Sequence, residues 1–336
     1  MLDEAREAPD AVGRLLAADR DVYASLGRDL RAQPPRSLLT VARGSSDHAA
    51  QYMAYLIMAR LGRLVTSLPM SLITLYQSRL QCDDLVSIAF SQSGQSPDLV
   101  VPMRFFRDGR ARTVAVVNDV ASPLAQAAQW VLPLHAGVET SIAATKSYIA
   151  QLVAGARLTA AWQDDAAFQR GLDALPDALQ RAARQDWQSA VEALADVDKL
   201  LVIGRGTGLA IAMEAALKFK EVCGIQAEAF SGAELRHGPL ALVDENYPLL
   251  VLAPRGPAQR GLLDLADDLR QRGARVMLAA PAGTPGSTLP LVTTDAEDLD
   301  AIAVIQSFYP MVEALACARD LDPDEPRHLT KITRTR

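Results

Sequence analysis

Three groups of residues in this sequence have types and spacings that could do chemistry. The first is Ser91-Gln92-Ser93-Gly94-Gln95-Ser96, which follows directly on the apolar run Leu85 to Phe90. Backbone N–H groups in a glycine-containing turn, backed by the start of a helix, form a concave donor surface for a phosphate, and serine hydroxyls add donors without a cation. Pro97 suits the first turn of the helix behind it. An ordinary polar loop after a strand is the plain alternative. The second group is Glu214, Lys218 and Glu221, which spacings of four and three place on one helix face. A solvated Glu–Lys stripe has the same spacing, but the neighbours Leu209 to Ala212 and Ala215 to Leu217 are small and apolar. That composition predicts a helix packed inside the body, where desolvation raises a carboxylate's proton affinity toward what a general base needs. The third is His237, set in the polar stretch Glu228 to Leu240, which reads as a loop of low regularity. Its type can move protons near neutral pH, although a solvated loop histidine is the bland reading. His48, His135 and His328 make no metal-ligand spacing with acidic or cysteine residues. The segment Asp324 to Lys331 reads as a charged terminus, but Pro326 and Leu329 give it rigidity and an anchor. It could carry Lys331 into a site as a lid.

The elements that must position these residues alternate. Strands are expected at Ser37–Ala42, Leu85–Phe90, Thr113–Asn118 and Val131–Leu134, with helices at about Asp47–Leu61, Leu99–Asp108 and Ser141–Trp162. The second half repeats the plan. Leu201-Val202-Ile203-Gly204-Arg205-Gly206 echoes Leu39-Thr40-Val41-Ala42-Arg43-Gly44, and one offset of 162 residues relates both Arg43 to Arg205 and Gly62 to Gly224. Further strands are expected at Leu249–Ala253 and Val276–Ala280, a short apolar piece at Leu289–Thr293, and helices near Gly261–Arg272 and Leu299–Arg319. Strands separated by helices predict an α/β fold of two related lobes, each a parallel sheet with helices on both faces, doubly wound. The expected division is a helical lead-in over 1–33, a first lobe over 34–165, a helical connection over 166–198, a second lobe over 199–320 and a tail over 321–336. The serine loop's counterpart, Ala253-Pro254-Arg255-Gly256, has lost its hydroxyls, so only the first lobe keeps a phosphate loop.

Composition narrows the classes. The chain has 336 residues, 49% of them apolar, enough for a sizeable core. A net charge of −6 with mixed signs and no basic run argues against nucleic acid. Cys82, Cys223 and Cys317 are odd in number and far apart, which suggests neither disulfides nor zinc and fits a reducing cytoplasm. The acidic N-terminus has no signal-peptide core and no apolar run approaches membrane-spanning length, so export and membrane insertion are not expected.

The combination of these motifs resembles the sugar isomerase (SIS) family, and within it the isomerase half of the glucosamine-6-phosphate synthases. The residues that carry the resemblance are Arg43-Gly44-Ser45-Ser46, the serine loop, Glu139 with Ala143-Ala144-Thr145-Lys146, Glu214, Lys218 and Glu221, Glu228 to Leu240, and Pro326-Arg327 with Lys331. By position, the resemblance implies a flavodoxin-like lobe fold in which Ser91, Gln92, Ser93 and Ser96 bind a sugar phosphate. Ser46 and the segment from Ile142 to Ala144 would contact the sugar. Glu221 would move a proton between C1 and C2 with Lys218 and Glu214 beside it, and His237 would open the ring from the neighbouring subunit of a homodimer. Lys331 would close over the substrate. Ala144 departs from the family's serine, which removes one sugar contact. No glutaminase segment with its nucleophilic cysteine precedes the lobes, so the resemblance implies the degradative reaction, glucosamine 6-phosphate and water to fructose 6-phosphate and ammonia. Neither a metal nor a redox cofactor is needed for it. Other family members of the transaminase, deglycase or galactosamine-phosphate type are alternatives, and a non-catalytic phosphosugar sensor is the alternative of another class.

Overall fold

The computed structural model describes residues 1–331. They form two compact units. The N-lobe comprises Asp10–Thr140, Lys146–Asp173 and the segment from Thr330, and the C-lobe comprises Met1–Pro9, Ser141–Thr145 and Ala174–Leu329.

Helices α1 (Leu2–Arg6), α2 (Ala8–Ala17) and α3 (Arg20–Ala32) lead in. The N-lobe continues as β1 (Ser37–Val41), α4 (Gly44–Leu61), β2 (Val65–Ser67), α5 (Ser71–Thr74), β3 (Leu85–Ser91), α6 (Pro97–Asp108), β4 (Arg112–Val117), α7 (Pro123–Ala127), β5 (Trp130–Pro133), α8 (Lys146–Gln163) and α9 (Ala166–Asp173). Its five strands are all parallel in the order β2-β1-β3-β4-β5, with Leu39 of β1 facing Thr66 on one side and Ser87 on the other. The central strand β3 is buried from Val86 to Ser91, the continuous burial expected of a parallel strand covered on both faces. The crossover β1–α4–β2 steps one way along the sheet and β3–α6–β4 the other. Right-handed connections therefore place α4 and α6 on opposite faces.

The C-lobe repeats this with α10 (Leu175–Ala182), α11 (Gln188–Leu194), β6 (Lys199–Gly204), α12 (Thr207–Cys223), β7 (Gln226–Ser231), β8 (Pro248–Leu252), α13 (Gln259–Gln271), β9 (Arg275–Pro281), β10 (Leu289–Leu291) and α14 (Asp300–Ala318). Its parallel order, β10-β9-β8-β6-β7, is the same winding. Both are the flavodoxin-like arrangement. Gly62 and Gly224 end α4 and α12 alike, each left-handed at φ +64° and donating its N–H to Met58 O and Phe219 O.

Three differences from the sequence expectations have physical causes. Strands β2 and β7 were not expected, because both are edge strands whose residues, Ala227 apart, are exposed or half-buried, and both lack an apolar run. The stretch from Glu228 is thus a strand to Ser231, followed by single turns of 3₁₀ helix at Glu234–His237 and Pro239–Leu242. Helix α8 starts at Lys146 rather than Ser141, since the Glu139 carboxylate accepts the Ser147 N–H at 3.2 Å and thereby caps it. Finally, one apolar helical stretch, Glu297–Ala318, does have the length and mean hydropathy (1.5) to cross a membrane, but 72% of it is buried inside the fold. It is the core helix of the C-lobe, packed on α12, α11, α10 and α1.

In the N-lobe, α3 lies along α8 so closely that a Cβ on Gly27 would sit 2.4 Å from the Ala161 carbonyl oxygen. The Gly27→Ala substitution is expected to destabilise the fold by about 1–3 kcal/mol through overpacking. Urea unfolding followed by circular dichroism checks this as a lowered midpoint.

Candidate functional site

In this winding the strand order reverses between the first and third strands of each lobe, and loops leaving their carboxyl ends diverge to leave a crevice. In the N-lobe those loops are Ala42 to Ser46 after β1 and Gln92 to Ser96 after β3. The serine loop is shaped by its own side chains. Ser91 Oγ accepts the Gly94 N–H at 3.0 Å, and Ser93 Oγ accepts the Gln95 N–H at 3.3 Å. Gly94 adopts φ +63°, and a Cβ there would lie 2.2 Å from Ser122 Oγ. Only glycine meets both demands. The Gln92 and Gly94 carbonyls accept from Asn118 N and Leu124 N, which anchors the loop to its neighbour. Ser96 is the N-cap residue of α6 with Pro97 behind it, so the helix N-terminus opens toward the loop as the hexapeptide implied. Ser46, in the first turn of α4, accepts from Gln151 Nε2 at 3.0 Å. Arg43 Nε donates to the buried Asp98 carboxylate at 3.0 Å and links the starts of the two crevice helices.

In the C-lobe the equivalent loop after β8 has a different chemistry. Arg255 takes the place of Ser93 and makes a bidentate pair with Asp300, Nε to Oδ2 at 2.7 Å and Nη2 to Oδ1 at 2.9 Å. The same Nη2 donates to the Thr294 carbonyl at 2.5 Å, and Asp300 Oδ1 also accepts from Thr294 N and Oγ1. Two forks matched this way are among the stronger polar contacts. The second copy of the loop has become structural.

The three charged residues of α12 do come together. Lys218 is 1% exposed, with Nζ 3.1 Å from Glu214 Oε1 and 2.6 Å from Glu221 Oε2. Burial alone lowers a lysine's pKa, but the two carboxylates outweigh it and hold Lys218 above its ordinary value. It therefore stays an ammonium at neutral pH and cannot itself serve as a base. Glu214 is fully buried, whereas the Glu221 side chain keeps 20% exposure. Glu221 lines a cavity of about 970 Å³ together with Asp196, Asp198, Arg319, Arg327 and His328.

His237 is elsewhere. It is exposed, follows the carboxyl end of β7, and lines a separate cavity of about 470 Å³ with Arg205, Arg236 and Asp264. Helix α12 runs back from the carboxyl edge of the sheet, and at ~1.5 Å per residue Thr207 and Glu221 are about 21 Å apart along it. His237 and Glu221 thus sit at opposite ends of the C-lobe. Ile142 and Ala144 are half-buried and alternate with buried Ser141, Ala143 and Thr145. Ser141 Oγ donates to Asp324 Oδ1 at 2.5 Å, which ties this segment to the tail within the C-lobe. Lys331 lies with the N-lobe, its Nζ 3.8 Å from Glu139 Oε2.

Asp98, Ser122 and Gln151 were missed by the sequence reading. Asp98 carried a signal, as an acid in the first turn after Pro97, but Ser122 and Gln151 meet the loops only through the fold.

Replacing Lys218 by Met leaves the buried carboxylates without their cation and is expected to destabilise the C-lobe by about 3–5 kcal/mol. Because Lys218 binds its proton more tightly folded than unfolded, the pair's contribution is whole below lysine's ordinary pKa and is lost as pH rises through the raised value. Guanidinium titrations of parent and Lys218→Met at pH 7 and 9 should therefore show the same gap.

The SIS domain family matches residues 33–161 and 193–310, one segment in each half of the chain. The glutamine–fructose-6-phosphate aminotransferase [isomerizing] of Methanothermobacter thermautotrophicus is 32% identical over 341 residues, covering 98% of this chain and 56% of the relative. The chain thus spans about half the length of the curated relatives it matches. A solved protein of Silicibacter pomeroyi described as a phosphosugar isomerase superposes with a TM-score of 0.91 at 41% identity, over 96% of this chain and 99% of that one. The C-terminal domain of glucosamine-fructose-6-phosphate aminotransferase from Francisella tularensis superposes with a TM-score of 0.86 at 25% identity, over 97% and 98%. With two flavodoxin-like lobes, a serine loop at one crevice and both family segments matched, this chain belongs to the SIS domain family.

Proposed function

We propose that this protein is an amino sugar phosphate isomerase that releases ammonia, converting glucosamine 6-phosphate and water to fructose 6-phosphate and ammonia. The observation that carries the reading is the buried row Glu214–Lys218–Glu221, in which one carboxylate keeps partial exposure while the other two charges are sequestered. A sensor has no use for that arrangement, whose burial is costly. The serine loop takes the phosphate, with Ser91, Gln92, Ser93 and Ser96 and the N-terminus of α6 as donors. Ser46, Ile142 and Ala144 contact the sugar.

The steps follow from the residue types. His237, supplied by the second subunit of a homodimer, passes a proton from the anomeric hydroxyl to the ring oxygen, which opens the pyranose to the amino aldehyde. Glu221 takes the proton from C2 and returns it to C1 while a proton passes from the amine nitrogen to O1, and Lys218 holds the carboxylate in place. The product is a 2-imine, and water adds to its carbon and expels ammonia to leave the ketone. The aminotransferase names of the relatives favour a second reading, the reverse amination of fructose 6-phosphate, which is tested by measuring glucosamine 6-phosphate formed from fructose 6-phosphate and glutamine.

Ammonia release from glucosamine 6-phosphate, measured by a coupled assay, is expected from the parent and absent in Glu221→Gln; full activity in that variant sinks the assigned base. Co-expressed Glu221→Gln and His237→Ala chains should recover about a quarter of parental activity, since in a two-fold dimer half the molecules are mixed and carry one intact site. Recovery no greater than the sum of the two single variants would rule out a shared site.

A further inference from the structure

Resting on the reading that His237 opens the sugar ring, we propose that Arg205, with Arg236 beside it, binds the phosphate of that same substrate. The two copies of the fold differ at one ion pair. In the N-lobe, Arg43 after β1 donates to the buried Asp98 carboxylate in the first turn of α6. The offset of 162 residues that relates Arg43 to Arg205 also carries Pro97, the first residue of α6, onto Gln259, the first residue of α13, and Asp98 onto Arg260. The acid has become a second arginine. Arg205 therefore keeps its charge without the partner that neutralises its counterpart.

Arg205, Arg236 and His237 are exposed and line one cavity of about 470 Å³ at the carboxyl ends of β6 and β7, within the size range of small-ligand pockets. Among the described residues none of the three side chains makes a hydrogen bond or an ion pair. The one carboxylate among the lining residues, Asp264, has both oxygens on Arg260 Nε, at 2.9 and 3.1 Å. Two permanent cations and a histidine thus face one space with no carboxylate left to pair them.

The substrate supplies the missing anion. His237 works between the anomeric hydroxyl and the ring oxygen, and only C5, C6 and the ester oxygen separate that ring oxygen from phosphorus. A guanidinium lining the same cavity is placed to take the phosphate, whose oxygens match its planar fork. The serine loop offers hydroxyls and N–H groups but contains no cation, and Arg43 of the adjoining loop is engaged by Asp98. Neutral donors of one subunit and the charge of Arg205, arriving with His237 from the other, then share the phosphate.

The test reads binding apart from turnover. In calorimetric titration of the full chain with fructose 6-phosphate, Arg205→Gln is expected to weaken binding about tenfold, the size of one lost charge-assisted hydrogen bond, and Arg205→Lys to recover part of it. Inorganic phosphate titrated alone should lose the same factor. Arg272→Gln, which removes an equal charge just beyond the end of α13, should bind as the parent does. Parental affinity in both Arg205→Gln and Arg236→Gln overturns the proposal. So does an equal loss in Arg272→Gln, which reduces the effect to net charge, or unchanged binding of inorganic phosphate, which puts the arginine on the sugar instead. In turnover, co-expressed Arg205→Gln and Glu221→Gln chains should show a component with the parental KM, because the mixed dimer joins an intact Arg205 and His237 to an intact Glu221. Its absence, where Glu221→Gln and His237→Ala chains do complement, separates Arg205 from His237 and overturns the proposal. A parent that releases no ammonia but binds sugar phosphate through Arg205 loses the proposed reaction and keeps this site.

Discussion

An ammonium group shut inside a folded core is tolerated only beside opposite charge, and Lys218 makes that demand on the C-lobe. Taking it and Glu214 out of water costs several kcal/mol per ion, which their mutual attraction must offset. The spacing of four and three along α12 supplies two carboxylates on the same face. Once Lys218 and Glu214 are sequestered, α12 must be covered, and α14 covers it with an apolar surface that in isolation has the hydropathy of a membrane helix. Glu221 is left at the margin, where its side chain keeps 20% exposure and lines a cavity.

The duplicated winding places a crevice at the same point of each lobe, yet the two crevices have diverged. In the N-lobe a glycine at positive φ shapes the serine loop, which is pinned by its close approach to Ser122 and by the backbone N–H groups of Asn118 and Leu124. In the C-lobe the guanidinium of Arg255 occupies the matching position and is saturated by Asp300 and Thr294. A cavity of about 550 Å³ in the N-lobe, lined by Tyr23, Arg28 and Arg157, lies at α3 and the end of α8 rather than at the crevice. Its Arg157 is committed to the Leu15 and Ala18 carbonyls at the end of α2.

Most of the architecture was legible in the residue order. The apolar runs of β1, β3, β4, β6, β8 and β9 are long enough to read as buried strands, and Gly62 and Gly224 marked the repeat because only glycine readily takes the left-handed cap. The edge strands β2 and β7 were not legible, since an edge strand needs no apolar run, and each pairs with the preceding strand only across an intervening helix. The late start of α8 was hidden for a related reason: its cap, Glu139, reaches forward from an irregular segment and competes with helical geometry upstream.

The sequence alone determined which residues share an element: the serine loop behind a strand, the Glu214–Lys218–Glu221 face, the helix opened by Pro97. These depend on local backbone periodicity, which a few neighbouring residues set. Only the tertiary structure decided which elements meet. It put Ser122 under Gly94, Arg43 on Asp98, Lys331 on Glu139, and His237 at the opposite end of its lobe from Glu221. Those pairings are long-range, and their geometry comes from sheet order and helix crossing rather than from any pattern along the chain.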